Sequence, residues 1–293
     1  GATHFIAAAI EQGAAAIVHD AVEWDAAWSV PHLLVSDLKR LAGPVAHAFY
    51  GMPDSAMFSA GVTGTNGKTS CALWLAQALA RLGETSSVIG TLGVGLCKPR
   101  GAIEFDVTGY TTPDAVLLAR KLAAMRDAGA MAVAIEVSSI GLDQERAAGM
   151  HFDVAMFTNL TRDHLDYHGD MAAYEAAKVK LFDWPGLKTA VINLDDPMGL
   201  RLARPVDGKL TGEYPVIGYT LQDAASQPDL FQCVQRVVIR EFLVGEAGRC
   251  QQVFQRRQFF LDGIHVAEVA KISTEIVRLD RLALPADFTA FGW

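Results

Sequence analysis

Val62-Thr63-Gly64-Thr65-Asn66-Gly67-Lys68-Thr69-Ser70 decides how the rest of the chain is read. Before it, the apolar run Met57 to Val62 has the length and composition of a buried strand; after it, Cys71 to Arg81 carries helical spacing. Strand, glycine turn, lysine and hydroxyl, then helix make a cradle for phosphate. The glycines let backbone N–H groups close on an anion, the helix start adds its positive end, and Lys68 adds a full charge. Thr69 follows as a magnesium-ligating hydroxyl. Only Thr65 and Asn66 separate Gly64 from Gly67, so the spacing departs from the common G-x-x-x-x-G-K-[ST] form. By itself the loop predicts ATP or GTP binding, and its spacing points to a narrower family than the common form does.

The composition bounds the rest. A chain of 293 residues suggests about two domains, and 51% hydrophobic with 20% charged residues is ordinary for a globular protein. The net charge of −8, without a long lysine or arginine run, speaks against nucleic acid or an anionic membrane as partner. The four cysteines, Cys71, Cys97, Cys233 and Cys250, are far apart with no C-x-x-C, which predicts reduced thiols in the cytoplasm and no zinc site. No apolar run approaches the roughly 18 residues that span a bilayer. The chain starts at Gly1 without methionine, as either a trimmed start or methionine processing leaves it.

Upstream of the loop, Phe5 to Gln12 reads as a helix stopped by Gly13, and Ala15 to Val18 and His32 to Val35 read as strands. Ser36 or Asp37 caps a helix from Leu38 to Tyr50, with Leu38, Leu41, Val45, Ala48 and Phe49 in helical register. Gly51 to Ser55 is a turn-rich linker, so residues 1–53 look like the end of a small α/β domain and a second domain begins at 54. Downstream, Ser87 to Ile89 is a short strand, and Gly90 to Gly101 suits a hairpin or mobile loop. Thr112 as N-cap and Pro113 at the first helical position start a helix that Gly129 ends.

Met131 to Val137 is an almost unbroken apolar strand, as expected where a parallel sheet is covered on both faces. Its one charge, Glu136, stands near the carboxyl end, where open α/β sheets bind ligands and an acid can hold magnesium. Val154 to Phe157 is the next strand. The segment Thr158 to Gly169 reads as a loop with two histidines and two aspartates, too many for a core. Asp170 caps a helix in which Lys178 shares a face with Met171, Tyr174, Leu181 and Phe182, while Lys180 points elsewhere. A lysine on an apolar face has its ammonium form disfavoured, so it either snorkels to solvent or serves as a neutral nucleophile that carbon dioxide converts to a carbamate.

Taken together, Gly64 to Ser70, Thr111-Thr112-Pro113-Asp114, Glu136-Val137-Ser138-Ser139, Gln144 to Arg146, Phe157 to Gly169 and Tyr174-Glu175-Ala176-Ala177-Lys178 resemble the Mur ligases. These are the ATP-dependent amide-bond formers of peptidoglycan synthesis, and the likeness is strongest to the members that add the third amino acid of the stem peptide. It extends through about Tyr219. It implies an α/β fold with a mostly parallel sheet, a P-loop-type central ATPase domain preceded by part of a small UDP-substrate-binding domain. It also implies roles. Gly64, Thr65, Asn66, Gly67, Lys68, Thr69 and Ser70 hold ATP; Thr69 and Glu136 hold one Mg2+; His164 and a carbamylated Lys178 hold a second. Lys68, Lys178 and His164 are the implied catalytic set. Thr111, Thr112, Ser138, Gln144 and Arg146 match positions that contact UDP-N-acetylmuramoyl-L-alanyl-D-glutamate. Capping remains an open reading for the two threonines.

The resemblance further implies the chemistry: a γ-carboxylate of D-glutamate takes the γ-phosphoryl group of ATP, and the amine of a diamino acid, diaminopimelate by overall likeness, displaces phosphate. Beyond Asp195-Asp196-Pro197 and Val216 to Tyr219 the family pattern fades into a diverged tail, residues 220–293, with strand-like runs at Arg236 to Val244 and Val253 to Leu261. A C-terminal amino-acid-selecting domain is not recognisable. Two alternatives stay open at this point: a nucleotide-binding module without turnover, and a folylpolyglutamate-synthase-like ligase, which shares the glycine loop and the Asn-Leu-x-x-Asp-His pattern.

Overall fold

The computed structural model describes residues 2–20, 24–203, 214–220 and 235–238. The chain opens with α1 (Ala2–Glu11), β1 (Ile17–His19), β2 (His32–Leu34) and α2 (Leu38–Phe49), and β1 pairs parallel with β2. Asp37 caps α2 by accepting the Arg40 N–H. The apolar stripe that marks α2 in the sequence does not face the core: Leu41, Val45 and Phe49 are exposed, and Gly43, Ala46 and His47 are buried instead. Helix α2 packs against the helix called α4 below, and at Gly43 it lies directly on the backbone of Ala148, whose carbonyl oxygen would be 1.8 Å from an added Cβ.

After a turn at Pro53–Ala56, β3 (Phe58–Thr63) runs into the glycine loop and α3 (Lys68–Arg81). There follow β4 (Ser86–Gly90), β5 (Gly93–Cys97), β6 (Phe105–Asp106), α4 (Ala115–Asp127), β7 (Ala132–Glu136), α5 (Ser139–Asp143) and β8 (Val154–Phe157). The last elements are α6 (Leu165–His168), α7 (Met171–Val179), β9 (Thr189–Asn193), α8 (Pro197–Ala203), β10 (Val216–Thr220) and β11 (Gln235–Val238).

Among the described residues, nine strands form one sheet in the order β11-β10-β9-β8-β3-β7-β4-β5-β6. From β11 to β4 every pairing is parallel; β4-β5-β6 is antiparallel, so the glycine-rich stretch after β4 is a hairpin. Helices and connecting loops cover both faces, which is why β3, β7 and β4 are mostly apolar or small and are buried at almost every position. The α/β, mostly parallel architecture is the one expected. Its register matters for function: Val62 pairs with Glu136, and Thr63 with Phe157. The carboxyl ends of three adjacent strands therefore deliver the glycine loop, Glu136 and the segment after Phe157 to one edge of the sheet.

Two local expectations need correction. Helix α4 starts at Ala115, not after Thr112, because Asp114 caps it and accepts N–H bonds from both Val116 and Leu117. Pro113 consequently precedes the cap, and Thr112 is released for a buried contact described below. The segment Thr158 to Gly169 is not all loop, since Leu165–His168 closes one helical turn, α6. The run Val253 to Leu261 lies outside the described residues, as does most of the tail. No described helix is long and apolar enough to cross a membrane.

At the sheet's opposite edge a buried polar network ties the α2 region to the strands. Asp54, 1% exposed, accepts from His47 Nδ1 at 2.9 Å, the His151 N–H at 2.6 Å and His151 Nδ1 at 3.0 Å. His151 Nε2 reaches Asp153, which also takes the Ser59 N–H and Lys188. Burial pushes the Asp54 carboxyl up, but the bonds from His151 and His47 outweigh it and hold it well below the usual carboxylate range. Bonding to Asp153 and Asp54 raises His151 to about 9. Asp54→Ala should cost about 3–5 kcal/mol in urea unfolding, because it strands buried partners. His151, whose ordinary value is 6.5, stabilises fully below that pH and loses its contribution as pH rises toward about 9. The stability difference between wild type and His151→Gln should therefore be largest near about pH 6 and gone by about pH 9.5. A difference independent of pH would remove His151 from this role.

Candidate active site

The phosphate-type loop is shaped by what surrounds it. Gly64 has φ 145°, a conformation L side chains rarely adopt, and a Cβ there would lie 1.9 Å from Thr158 Oγ1. Both reasons demand glycine. The strand-end segment 158–161 then pins the loop: Asn159 accepts the Thr65 N–H on its carbonyl at 2.8 Å and the Asn66 N–H on Oδ1 at 2.9 Å, and Thr158 Oγ1 donates to Asn66 O at 2.7 Å. Thr65 Oγ1 donates to Thr161 O and meets Tyr174 Oη, each at 3.1 Å. Gly67, at φ 82°, begins α3 with no side-chain cap, so the first-turn N–H groups of this 14-residue helix face the cavity as an anion site.

Three charged groups converge here. Lys68 Nζ donates to Gly64 O at 3.0 Å and Thr65 O at 2.7 Å, and burial lowers its pKa against the pull of Glu136 and Asp163. Glu136, 2% exposed, accepts from Thr69 Oγ1 at 2.9 Å. Burial raises its pKa, opposed by hydrogen bonds from Thr91 and Thr69. Lys178, 1% exposed, donates to Gly64 O at 2.8 Å and sits 4.4 Å above the Tyr174 ring. Burial, with the charge of Lys68 adding to it, brings the Lys178 ammonium down to about 7. It does not snorkel; it is a buried amine in reach of the neutral form.

A cavity of about 280 Å³ gathers these residues. Of the positions singled out in the sequence, Thr65 to Ser70, Thr111, Glu136, Ser138, His164 and Lys178 line it. His164 has the left-handed φ of 51°, its ring is partly exposed, and its Nε2 lies 3.6 Å from Asp163 Oδ2. Thr112, freed from capping, donates to Glu136 O at 2.9 Å and accepts the Ser138 N–H at 3.0 Å. Ser138 Oγ in turn caps α5 through the Gly141 N–H. Gln144 and Arg146 do not line the cavity. Arg146 spends its fork on Gln144 Oε1, at 2.9 and 2.7 Å, and on Thr112 O at 2.9 Å, with Tyr110 under the guanidinium. Glu145 between them holds the left-handed φ of 57°, which for a non-glycine residue is unusual.

Thr91 was not legible as a site residue. It lines the cavity, donates its N–H to Glu136 Oε1 at 2.8 Å, and belongs to a hairpin turn that carries no motif. Ser139, which also lines the cavity and meets His168 Nε2 at 3.0 Å, sits beside the sequence-marked Ser138.

The donor chemistry fits magnesium and a nucleotide phosphate. Among the described residues no three His, Cys, Asp or Glu side chains converge on one point. Thr69 and Glu136 offer a small hard-oxygen set of the kind magnesium completes with phosphate oxygens and water. A buried lysine near pH 7 fits carbamylation.

A family model described as Mur ligase middle domain matches residues 62–248. The UDP-N-acetylmuramoyl-L-alanyl-D-glutamate--2,6-diaminopimelate ligase of Janthinobacterium sp. (strain Marseille) is 60% identical over 221 residues, which cover 75% of this chain and 43% of that relative. The ligase of the same name from Ralstonia nicotianae is 54% identical over 197 residues, covering 66% of this chain and 37% of that one. A solved structure of a UDP-N-acetylmuramoyl-L-alanyl-D-glutamate--2,6-diaminopimelate ligase aligns with a TM-score of 0.61 at 31% identity, over 75% of this chain and 43% of that chain. The chain thus spans less than half the length of these relatives. With the family's middle domain running through more than half of its residues and its glycine loop, Glu136, His164 and Lys178 inside that span, the chain belongs to the Mur ligase family.

Proposed function

We propose that this chain carries the ATP-binding catalytic core of a ligase that joins a diamino acid, meso-diaminopimelate first, to UDP-N-acetylmuramoyl-L-alanyl-D-glutamate. The observation that carries the reading is one cavity lined by both halves of such a site: Lys68, Thr69 and Glu136 for nucleotide and metal, and Thr111, Ser138, His164 and Lys178 for the acyl donor side. The relatives' names supply the substrate class.

In this reading the N–H groups at the start of α3 and Lys68 receive the β and γ phosphates of ATP. Magnesium, when bound by Thr69 and Glu136, neutralises charge that collects on the phosphoryl oxygens. An oxygen of the D-glutamate γ-carboxylate attacks the γ-phosphorus and ADP leaves, giving an acyl phosphate. The diamino acid amine then attacks the acyl carbon, inorganic phosphate leaves, and the amine sheds a proton as the amide forms. Lys68 keeps the transferred group aligned, Thr112 holds the Ser138 segment against the Glu136 backbone, and Arg146 braces that segment through Thr112 O while sharing Gln144. Lys178, as a carbamate, and His164 would hold a second magnesium. Residues 1–53 belong to the domain that binds the UDP end of the substrate, and 54 begins the central domain.

The test is the mass of a mixture holding the chain, ATP, magnesium, the UDP-dipeptide and either diaminopimelate or lysine. A UDP-tripeptide is expected with diaminopimelate. Nucleotide binding with no tripeptide from any amino acid leaves a binding module, and turnover that depends on pteroylglutamate in place of the UDP-dipeptide assigns the chain to folate chemistry.

A further inference from the structure

Glu136 depends on a hairpin turn that no motif marks. Its side chain leaves the end of β7 and lies across the end of β4, in space that exists only because residue 90 has no side chain: a Cβ on Gly90 would fall 1.9 Å from Glu136 Oε1 and 2.5 Å from Cδ. The next residue then grips the carboxylate. The Thr91 N–H donates to Oε1 at 2.8 Å, and its hydroxyl stands 3.4 Å from Oε2 and 3.0 Å from Thr111 Oγ1. A carboxylate only accepts, so the Thr91 hydroxyl gives its one proton to Glu136 Oε2 and receives the Thr111 hydroxyl on a lone pair. Tight hairpin turns are led by glycine, asparagine and aspartate, so turn chemistry alone does not account for a threonine between Gly90 and Leu92.

We propose that Thr91 is a positioning residue, whose N–H and hydroxyl hold the Glu136 carboxylate beside Thr69 for magnesium and link it to Thr111 on the acyl-donor side of the cavity. The inference rests on the nucleotide and magnesium reading above and deepens it. Thr91 touches neither reacting atom; it acts through Glu136. Nothing in the turn except the hydroxyl connects the two sides, since the N–H serves only Oε1.

Calorimetric titration of the chain with a non-hydrolysable ATP analogue, with and without magnesium, tests it on wild type, Thr91→Val, Thr91→Ser and Thr91→Ala. Without magnesium all four should bind alike. With magnesium, wild type and Thr91→Ser should tighten, whereas Thr91→Val and Thr91→Ala should lose roughly tenfold of that gain, about what one hydrogen bond to a charged group contributes. Thermal midpoints of the ligand-free proteins check the fold, and the alanine variant stands in if the valine variant does not fold. The inference is overturned if the valine and alanine variants keep the full magnesium effect, if they lose affinity equally without magnesium, or if serine fails alongside them. A wild-type chain that binds no nucleotide removes the underlying reading itself, an outcome distinct from all of these.

Discussion

Lys178→Met should leave a folded chain that still binds nucleotide but forms tripeptide roughly 10²–10³-fold more slowly, the size of loss that follows removal of one preorganised charge from such a site. Methionine matches the length of the lysine stem and suits the buried face beside Phe182 and Leu181, so the variant removes the amine without opening a large void. Only Gly64 O loses a donor. The same side chain predicts a pH dependence. Its folded value of about 7 lies below the ordinary 10.5, so the folded chain gives up this proton before the unfolded chain does. Its contribution to stability therefore rises between about pH 7 and pH 10.5, with a sign opposite to that of His151. The neutral amine, and with it the carbamate, should increase as pH is raised through about 7. Carbon NMR in labelled bicarbonate reads this directly: one carbamate resonance in wild type that grows from about pH 6 to pH 8, and none in Lys178→Met. An equally strong signal in the variant, or full activity without the amine, would sink the assignment.

Gly90→Ala should be nearly as damaging although alanine is a small change. The added methyl falls on the Glu136 carboxylate, so the carboxylate must leave its bonds to Thr91 and Thr69. Magnesium should then no longer tighten nucleotide binding, and turnover should fall about 10²-fold. Gly101→Ala is the control, because nothing lies within 4 Å of its added Cβ and no positive φ constrains it. Magnesium titrations of the three proteins decide the matter, and a Gly90→Ala chain with wild-type magnesium dependence would refute the seating of Glu136.

Much of the site can be read from the chain because its signals are local. The loop from Gly64 to Ser70 announces itself between an apolar strand and a helix, and Glu136 stands out as the one charge in a buried strand. Asp170 and Asp37 act as the caps their positions suggest. Thr112 shows where locality stops. A threonine before a proline is a fair cap, but the helix starts two residues later, where the Asp114 carboxylate takes the Val116 and Leu117 N–H groups, and only the fold reveals that the Thr112 hydroxyl is needed at Glu136 O. The exposed stripe of α2 makes the same point, since periodicity marks a helix without saying which face the partner will cover.

Strand character, helix periods, caps and a phosphate-binding loop follow from residues close together in the chain, whose preferences act before any distant contact forms. They are enough for an α/β protein that cradles a phosphate. Which residues meet is a different question, answered by parallel pairing that sets Val62 beside Glu136 and Thr63 beside Phe157. Lys178 reaches Gly64 across 114 positions, and Thr91 reaches Glu136 across 45. Burial of Lys178, the fork of Arg146 turned to Gln144, and the empty space at Gly90 all depend on atoms from separate segments being brought to one place. Desolvation and steric exclusion arise only in that assembled environment, so the tertiary structure alone decides them.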